Sequence, residues 1–162
     1  MEKRKFSIEY MCYSSPLEMS KEDAKLLIEA QEAVKTSYSP YSNFAVGAAV
    51  KLANGTVVRG SNQENAAYPS GLCAERVALF SAASQYPGVA IDSIAITVNS
   101  PHHDSETPIA PCGACRQVMI EYEHLNNKPM KVIMHGESGK TFVVEQACDL
   151  LPFDFHADHL KK

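Results

Sequence analysis

Pro111-Cys112-Gly113-Ala114-Cys115, with the earlier Cys73-Ala74-Glu75-Arg76, is the most informative pattern in this chain. Two cysteines three residues apart at the start of a helix place both thiols on one face. Each stretch opens a predicted helix, where unpaired backbone N–H groups favour thiolate over thiol. A catalytic zinc ion takes three protein ligands and a water molecule. The sequence therefore predicts a zinc site made by Cys73, Cys112 and Cys115.

The residues beside the predicted ligands offer a proton carrier and a compensating charge. Glu75 follows Cys73 by two residues, so both side chains reach the site only if they lie in the first helical turn. A carboxylate there can accept a proton from a water molecule on the metal. Three thiolates and one zinc ion sum to 3 × (−1) + 2 = −1, which calls for a nearby cation. Arg76 and Arg116 are the candidates, and we predict that Arg76 hydrogen-bonds to the ligand thiolates.

Periodicity and turn signals outside these stretches predict one mixed sheet with helices on its faces. Helices are predicted over 20–37, 74–83 and 115–124, with at most a short one over 146–151. Strands are predicted over 44–52, 56–61, 91–98, 131–135 and 141–145. Asn54-Gly55 between the first two strands is a strong hairpin signal. We predict an N-terminal extension over 1–20 and a single catalytic domain over 21–162.

Length and charge limit the classes of function. The chain has 162 residues and a mass of 17.7 kDa, which suits one domain. Its 15 Lys and Arg against 19 Asp and Glu give a net charge of −4, which disfavours a nucleic acid polymer as partner. The longest apolar runs fall short of the roughly 20 residues of a membrane span. Glu9 interrupts any signal-peptide core, so a cytoplasmic protein with a small-molecule substrate is expected.

Other interpretations of the cysteines stay open at this stage. A structural zinc ion usually takes four protein ligands, and Cys12 or Cys148 could supply the fourth. That arrangement is typical of a non-catalytic zinc-binding interaction module, which tolerates Gln in place of Glu75. The histidine pair 102–103 and the remaining histidines, which are His124, His135, His156 and His159, show no metal-ligand spacing.

Over residues 22–155 the sequence resembles the small cytidine deaminases of nucleoside salvage. The resemblance rests on four blocks in the family order, namely Tyr38-Ser-Pro-Tyr-Ser-Asn-Phe-Ala-Val-Gly47, Gly60-Ser-Asn-Gln-Glu-Asn-Ala-Ala-Tyr68, Cys73-Ala-Glu-Arg76 and Pro111-Cys-Gly-Ala-Cys-Arg-Gln117. It implies a three-layer α/β/α sandwich with a mixed five-stranded sheet. It also implies a Zn²⁺ cofactor and a homotetramer.

The resemblance further implies hydrolysis of cytidine, and also of deoxycytidine, to the uridine product and ammonia in pyrimidine salvage. Water activated by zinc would attack C4 of the ring, and Glu75 would carry the protons. The substrate-binding residues implied are Phe44 for the base, Asn62 and Glu64 for the ribose, Ala74, and Phe155 in a neighbouring subunit's site. An aminohydrolase for a modified nucleoside, such as a nucleoside antibiotic, is the nearest alternative.

Overall fold

A mixed α/β sandwich is formed by the 1–101 and 106–160 segments, which the computed structural model describes. Within these residues the helices are α1 (Lys21–Val34), α2 (Ala74–Gln85) and α3 (Gly113–Asn126), and the strands are β1 (Met11–Tyr13), β2 (Ala45–Leu52), β3 (Val57–Ser61), β4 (Ile91–Asn99), β5 (Lys131–His135) and β6 (Thr141–Val144). The sheet order is β1-β6-β5-β4-β2-β3. Strands β4 and β5 are parallel, and every other neighbouring pair is antiparallel.

Alternate residues of the strands bury two separate apolar layers. One layer packs under α1, and its buried members include Leu26, Leu27, Ala30, Ala49, Ala95, Ile133 and Val143. The other packs under α2 and α3, and its buried members include Ala48, Val50, Leu79, Ile94, Ile96, Met119, Ile120 and Val132. Because side chains alternate along a strand, one sheet serves both layers. The predicted three-layer sandwich is confirmed.

The predicted five-stranded sheet is wrong by one strand. Residues of the N-terminal segment add β1 to the sheet edge, with Met11 opposite Val143 and Tyr13 opposite Thr141. The ring of Tyr10 also lies on Phe142, with centroids 5.0 Å apart. The edge strand β6 would otherwise present unpaired backbone groups, which β1 satisfies. A largely exposed three-residue strand shows no alternation of apolar and polar residues, so no sequence pattern indicated it.

Local signals decide most element boundaries. The Ser20 hydroxyl accepts a hydrogen bond from the Asp23 amide and caps α1, as its position before the helix predicts. That helix ends at Val34 rather than near Ser37, and turn-like backbone bonds continue to Ser37. Gly55 adopts φ +85° between β2 and β3, as the hairpin signal requires.

Two glycines let the helices approach the sheet. A Cβ on Gly47 would lie 2.1 Å from the carbonyl oxygen of Ala30 in α1. A Cβ on Gly60 would lie 2.4 Å from the amide nitrogen of Ala78 in α2. The close approach at Gly60 brings the start of α2 next to the first residues of β2 and the last residues of β3, where the candidate site forms.

Two expectations from the sequence concern the histidine pair and a membrane span. His102 and His103 lie outside the described residues. Within the described residues, the longest apolar stretch of any helix is too short to cross a lipid bilayer.

Candidate active site

Three cysteine thiols meet where two helices begin. Cys73 is the N-cap residue of α2, Cys112 is the N-cap residue of α3, and Cys115 lies in the first turn of α3. The Sγ atoms of Cys73 and Cys112 are 3.8 Å apart, and those of Cys112 and Cys115 are 3.4 Å apart. All three sulfurs lie within 4.8 Å of one another. The structure thus brings together the three ligands predicted from the sequence.

The sulfur spacing and donor set fit a zinc ion. Zinc–sulfur bonds of about 2.3 Å in a tetrahedron place the sulfurs about 3.8 Å apart, close to the observed values. Cys12 lies exposed on β1 and Cys148 follows β6, so both lie outside this group. Among the described residues, therefore, no fourth cysteine lies close enough to act as a ligand. Three protein ligands are the number that a catalytic zinc site uses.

The surroundings of Cys73 favour its thiolate. A hydrogen bond from the Cys115 thiol, together with the Arg76 guanidinium, lowers the pKa of Cys73 to about 5 despite partial burial. The Nη2 atom of Arg76 lies 3.6 Å from the Cys73 sulfur. The buried Nε atom of Arg76 has no hydrogen-bond partner among the described residues. Arg76 thus lies where the charge arithmetic calls for a cation.

Arg116, the other candidate cation, has different partners. Its Nε and Nη1 atoms donate hydrogen bonds to the carbonyl oxygens of Pro111 and Leu150, each at 2.8 Å. These bonds connect the start of α3 to the segment after β6. In the structure, Arg116 holds backbone in place beside the thiols, and Arg76 is the guanidinium bound to a ligand sulfur.

Glu75 is a buried carboxyl group beside the thiols. It is the second residue of α2, so it shares the first turn with Cys73, as the two-residue spacing required. Its side chain is 5% exposed and lines the cleft described below. Burial, and next the nearby Cys73 charge, raise the pKa of Glu75 above its usual range. A carboxyl group with a raised pKa can take up and return a proton near neutral pH.

A cleft of about 600 Å³ opens beside Glu75, Cys73 and Cys112. This volume lies within the usual range for small-molecule sites. Val46, Leu72 and Ile109 contribute apolar walls, and Cys115 lies fully buried behind the cleft. The sequence-predicted residues that line the cleft are Phe44, Asn62, Glu64, Cys73, Ala74, Glu75, Arg76 and Cys112.

Asn62 and Glu64 are both anchored by the chain segment before β2. The Oδ1 atom of Asn62 accepts from the Ser37 hydroxyl at 2.5 Å and the Val46 amide at 2.8 Å. Its Nδ2 atom donates to the Phe44 carbonyl at 2.8 Å. Glu64 accepts from the Ser42 hydroxyl and from the Tyr41 amide, and these bonds lower its pKa. Both side chains are therefore held at the cleft by bonds within the chain.

Sequence reasoning missed the residues that hold these two side chains. Ser37 and Ser42 supply hydroxyl groups that fix Asn62 and Glu64, although Ser42 lies within a motif block. The only sequence signal for such hydrogen-bonding residues was the clustering of small polar residues in that block. Each hydroxyl bonds to a residue more than twenty positions away in the sequence. Such a contact exists only in the folded chain, so residue spacing did not indicate it.

Phe155 lies away from the cleft of its own chain. Its ring is 57% exposed and stacks on His159, with centroids 5.4 Å apart. Its carbonyl oxygen accepts a hydrogen bond of 2.6 Å from Gln117 on α3. The exposed ring is not among the residues that line the cleft of its own chain, and its role in a neighbouring subunit's site stays a prediction.

Comparisons with known proteins point to one family. The family model described as the cytidine and deoxycytidylate deaminase zinc-binding region matches residues 20–130, which include all three site cysteines and Glu75. A cytidine deaminase from Halalkalibacterium halodurans is 42% identical over 139 residues, which are 85% of this chain and 98% of that protein. One from Sporosarcina psychrophila is 38% identical over 137 residues, which are 84% of this chain and 93% of that protein.

Solved structures agree in fold. The crystal structure of cytidine deaminase from Burkholderia pseudomallei has a TM-score of 0.71 and 42% identity, covering 85% of this chain and 100% of that chain. The cytidine deaminase structure from Mycobacterium tuberculosis has a TM-score of 0.63 and 32% identity, covering 81% of this chain and 94% of that chain.

Proposed function

The chain belongs to the zinc-binding cytidine and deoxycytidylate deaminase family, and from this premise we propose that it hydrolyses cytidine and deoxycytidine to uridine and deoxyuridine, releasing ammonia. One observation carries the proposal. Three thiols lie within 4.8 Å of one another, and two of them, Cys73 and Cys112, line one cleft of about 600 Å³ together with Glu75. That arrangement provides both the metal ligands and the proton carrier that hydrolysis of an amidine carbon requires.

Cys73, Cys112 and Cys115 would hold the zinc ion. When bound, zinc supplies the Lewis acid that activates water for attack at C4 of the pyrimidine ring. Three ligand thiolates and one Zn²⁺ would together carry a net charge of −1, and Arg76 offsets it from its position against the Cys73 sulfur. The N-termini of α2 and α3 add further positive potential.

Glu75 would move the protons of the reaction. Its carboxylate takes a proton from the attacking water and passes it to N3 of the ring. It then assists transfer of a proton to the departing amine. The net reaction converts one cytidine and one water into one uridine and one ammonia. Its burial supports this role, because a raised pKa matches a group that must both accept and donate.

Phe44, Asn62, Glu64 and Ala74 would position the nucleoside. The second amide hydrogen of Asn62 has no partner within the described residues, so it can donate to a ribose hydroxyl. Glu64 keeps a low pKa and can accept from a second hydroxyl. Because bonds inside the chain already orient both side chains, binding would cost little reorganisation.

We also infer a homotetramer in the cytoplasm. The exposed Phe155 ring, on a segment held to α3, is available to a neighbouring subunit's cleft. Three ligand thiols must stay reduced to bind zinc, which suits a reducing compartment.

Ammonia release and zinc content of purified wild type and Glu75→Gln test the proposed function. We expect turnover with cytidine in the wild type, and a fall of about 10²- to 10⁴-fold in kcat in the variant with zinc retained. Glu121→Gln, an exposed carboxylate change on α3, is the matched control and should keep wild-type turnover.

Two outcomes would contradict the proposal. Zinc in both proteins with no turnover in either, on cytidine or deoxycytidine, would direct the search to modified nucleosides. Equal turnover in wild type and Glu75→Gln would remove Glu75 from the mechanism.

A further inference from the structure

A second group of metal-ligating side chains lies at the other end of α3. His124 lies in the last turn of that helix, and the segment after β6 runs back along it. The bond from Gln117 to the Phe155 carbonyl fixes this return, so Asp154 and His156 come beside His124. Thirty residues separate the first two ligands in the sequence, which is why no spacing pattern indicated them.

One carboxylate oxygen lies near a nitrogen of each of two stacked imidazole rings, whose centroids are 4.9 Å apart. The Oδ2 atom of Asp154 is 3.0 Å from His124 Nε2 and 3.4 Å from His156 Nδ1. The buried His156 Nδ1 atom makes no hydrogen bond within the described part of the chain. That oxygen can accept a hydrogen bond from both rings only where both facing nitrogens carry a proton. A metal ion can bind both nitrogens and the oxygen together.

We propose that His124, Asp154 and His156 bind a divalent transition-metal ion of the zinc, cobalt and nickel type. Two imidazole nitrogens and a carboxylate oxygen are the donors that these ions take. Bonds of about 2.1 Å at tetrahedral angles place ligand atoms about 3.4 Å apart. The separation of 3.4 Å between Asp154 and His156 matches this value, and the separation of 3.0 Å between Asp154 and His124 is shorter.

Charge and access favour such an ion. Burial alone would raise the pKa of Asp154, but the hydrogen bond from His124 and the nearby imidazoles lower it, so the carboxylate is ionised at neutral pH. The side chains of His124, Asp154 and His156 are 48%, 21% and 28% exposed, so the group lies near the surface, although the His156 Nδ1 atom itself is covered. The carbonyl end of α3 adds negative potential that favours a cation.

This site is separate from the thiol site. His124 and Cys115 lie nine residues apart on one helix, or roughly 13 Å at 1.5 Å per residue. Phe155 lies between two of the ligands, so the ion would tie the segment that carries it to α3. The proposal stands on its own geometry and does not depend on the deaminase activity.

Titration of the zinc-loaded protein with Co²⁺, followed by visible absorption, tests the proposal. We expect one Co²⁺ per chain with d–d bands and no thiolate-to-cobalt charge transfer, and no zinc release. Co²⁺ should also raise the melting temperature. His124→Ala and His156→Ala should each lose the saturable binding and the thermal shift.

His159→Ala is the matched control. Its ring lies beside His156, with centroids 4.1 Å apart, but its Nδ1 accepts the His156 backbone amide. This variant should keep Co²⁺ binding. Melting temperatures without added Co²⁺ show whether each variant is folded.

Three results would overturn the proposal. The first is equal Co²⁺ uptake by the wild type and the His124→Ala variant. The second is loss of Co²⁺ binding in His159→Ala to the same extent as in His124→Ala. The third is Co²⁺ binding that is accompanied by thiolate charge transfer and zinc release. The last would show that Co²⁺ enters only the cysteine site.

Discussion

The two ends of α3 carry opposite kinds of ligand. At its N-terminus, two thiols of α3 and one of α2 lie among unpaired N–H groups and beside Arg76, which stabilise negative charge. At its C-terminus, His124 and its neighbours lie where carbonyl groups favour a cation. With a divalent ion the thiolate group sums to −1, whereas two neutral imidazoles and one carboxylate sum to 2 − 1 = +1. The polarity of a helix thus favours anionic ligands at its N-terminus and a net positive metal centre at its C-terminus.

Cys115→Ala is expected to give the largest effect and to separate the two ends. Loss of a fully buried ligand should abolish both stable zinc binding and cytidine turnover, while Co²⁺ binding at His124 persists. Zinc content, ammonia release and Co²⁺ titration measure the three properties. Cys148→Ala, a half-buried cysteine outside the ligand group, is the control. Retained zinc in Cys115→Ala would contradict the three-thiol assignment.

Arg76→Gln should have the next largest effect, confined to the thiol end. Removing the cation beside Cys73 leaves the net negative charge uncompensated, so zinc affinity or turnover should fall about 10- to 100-fold. Competition with a zinc chelator and steady-state kinetics measure these changes. Arg59→Gln removes an exposed arginine paired with Glu29 and should change neither property. Unchanged affinity and turnover in Arg76→Gln would show that the guanidinium is dispensable.

Gly60→Ala tests how far the thiol end depends on close packing of α2. The added methyl group would lie 2.4 Å from the Ala78 amide and 2.6 Å from the Ala74 carbonyl. We expect the free energy of unfolding to fall by about 1–3 kcal/mol, with lower turnover as Cys73 and Glu75 shift. Urea unfolding measures the first change. Gly113→Ala has open space around the new Cβ and should leave the free energy of unfolding nearly unchanged.

His135 is a buried histidine, whereas His124 and His159 are exposed. His135 is 2% exposed, and burial lowers its pKa despite a hydrogen bond to the Lys140 carbonyl. The unfolded chain binds a proton below about pH 6.5 that the folded chain does not, so stability falls as the pH drops through that value. Above it the histidine is neutral in both states and contributes no pH dependence.

The expected slope from His135 is at most about 1.4 kcal/mol per pH unit. Urea unfolding at about pH 5.5 and about pH 7.5 should show a smaller loss for His135→Asn than for the wild type. His159→Ala, measured at the same zinc loading, is the control because its ring is exposed. Parallel curves for wild type and His135→Asn would be the contrary result.

The sequence predicted elements whose signals are local. Strand β5 occupies the predicted 131–135, α1 begins after its Ser20 cap, and the hairpin turns at Asn54-Gly55. Each depends on residues within a few positions of one another. Strand β1 was missed because its stability comes from the edge of β6, more than a hundred residues away.

The order of residues along the chain accounts for the chemical groups of the site and for their local geometry. Cys112 and Cys115 share the first turn of a helix, and Cys73 and Glu75 share another, because neighbouring residues fix those distances. Contacts between distant groups follow from the folded arrangement of the helices and strands. The packing of α2 and α3 in one core layer brings the two helix starts together, and the return of the chain along α3 places the Asp154 carboxylate near a nitrogen of His124 and of His156. The physical reason is that spacing along a helix follows from its repeat, whereas contacts across the fold depend on how whole elements pack.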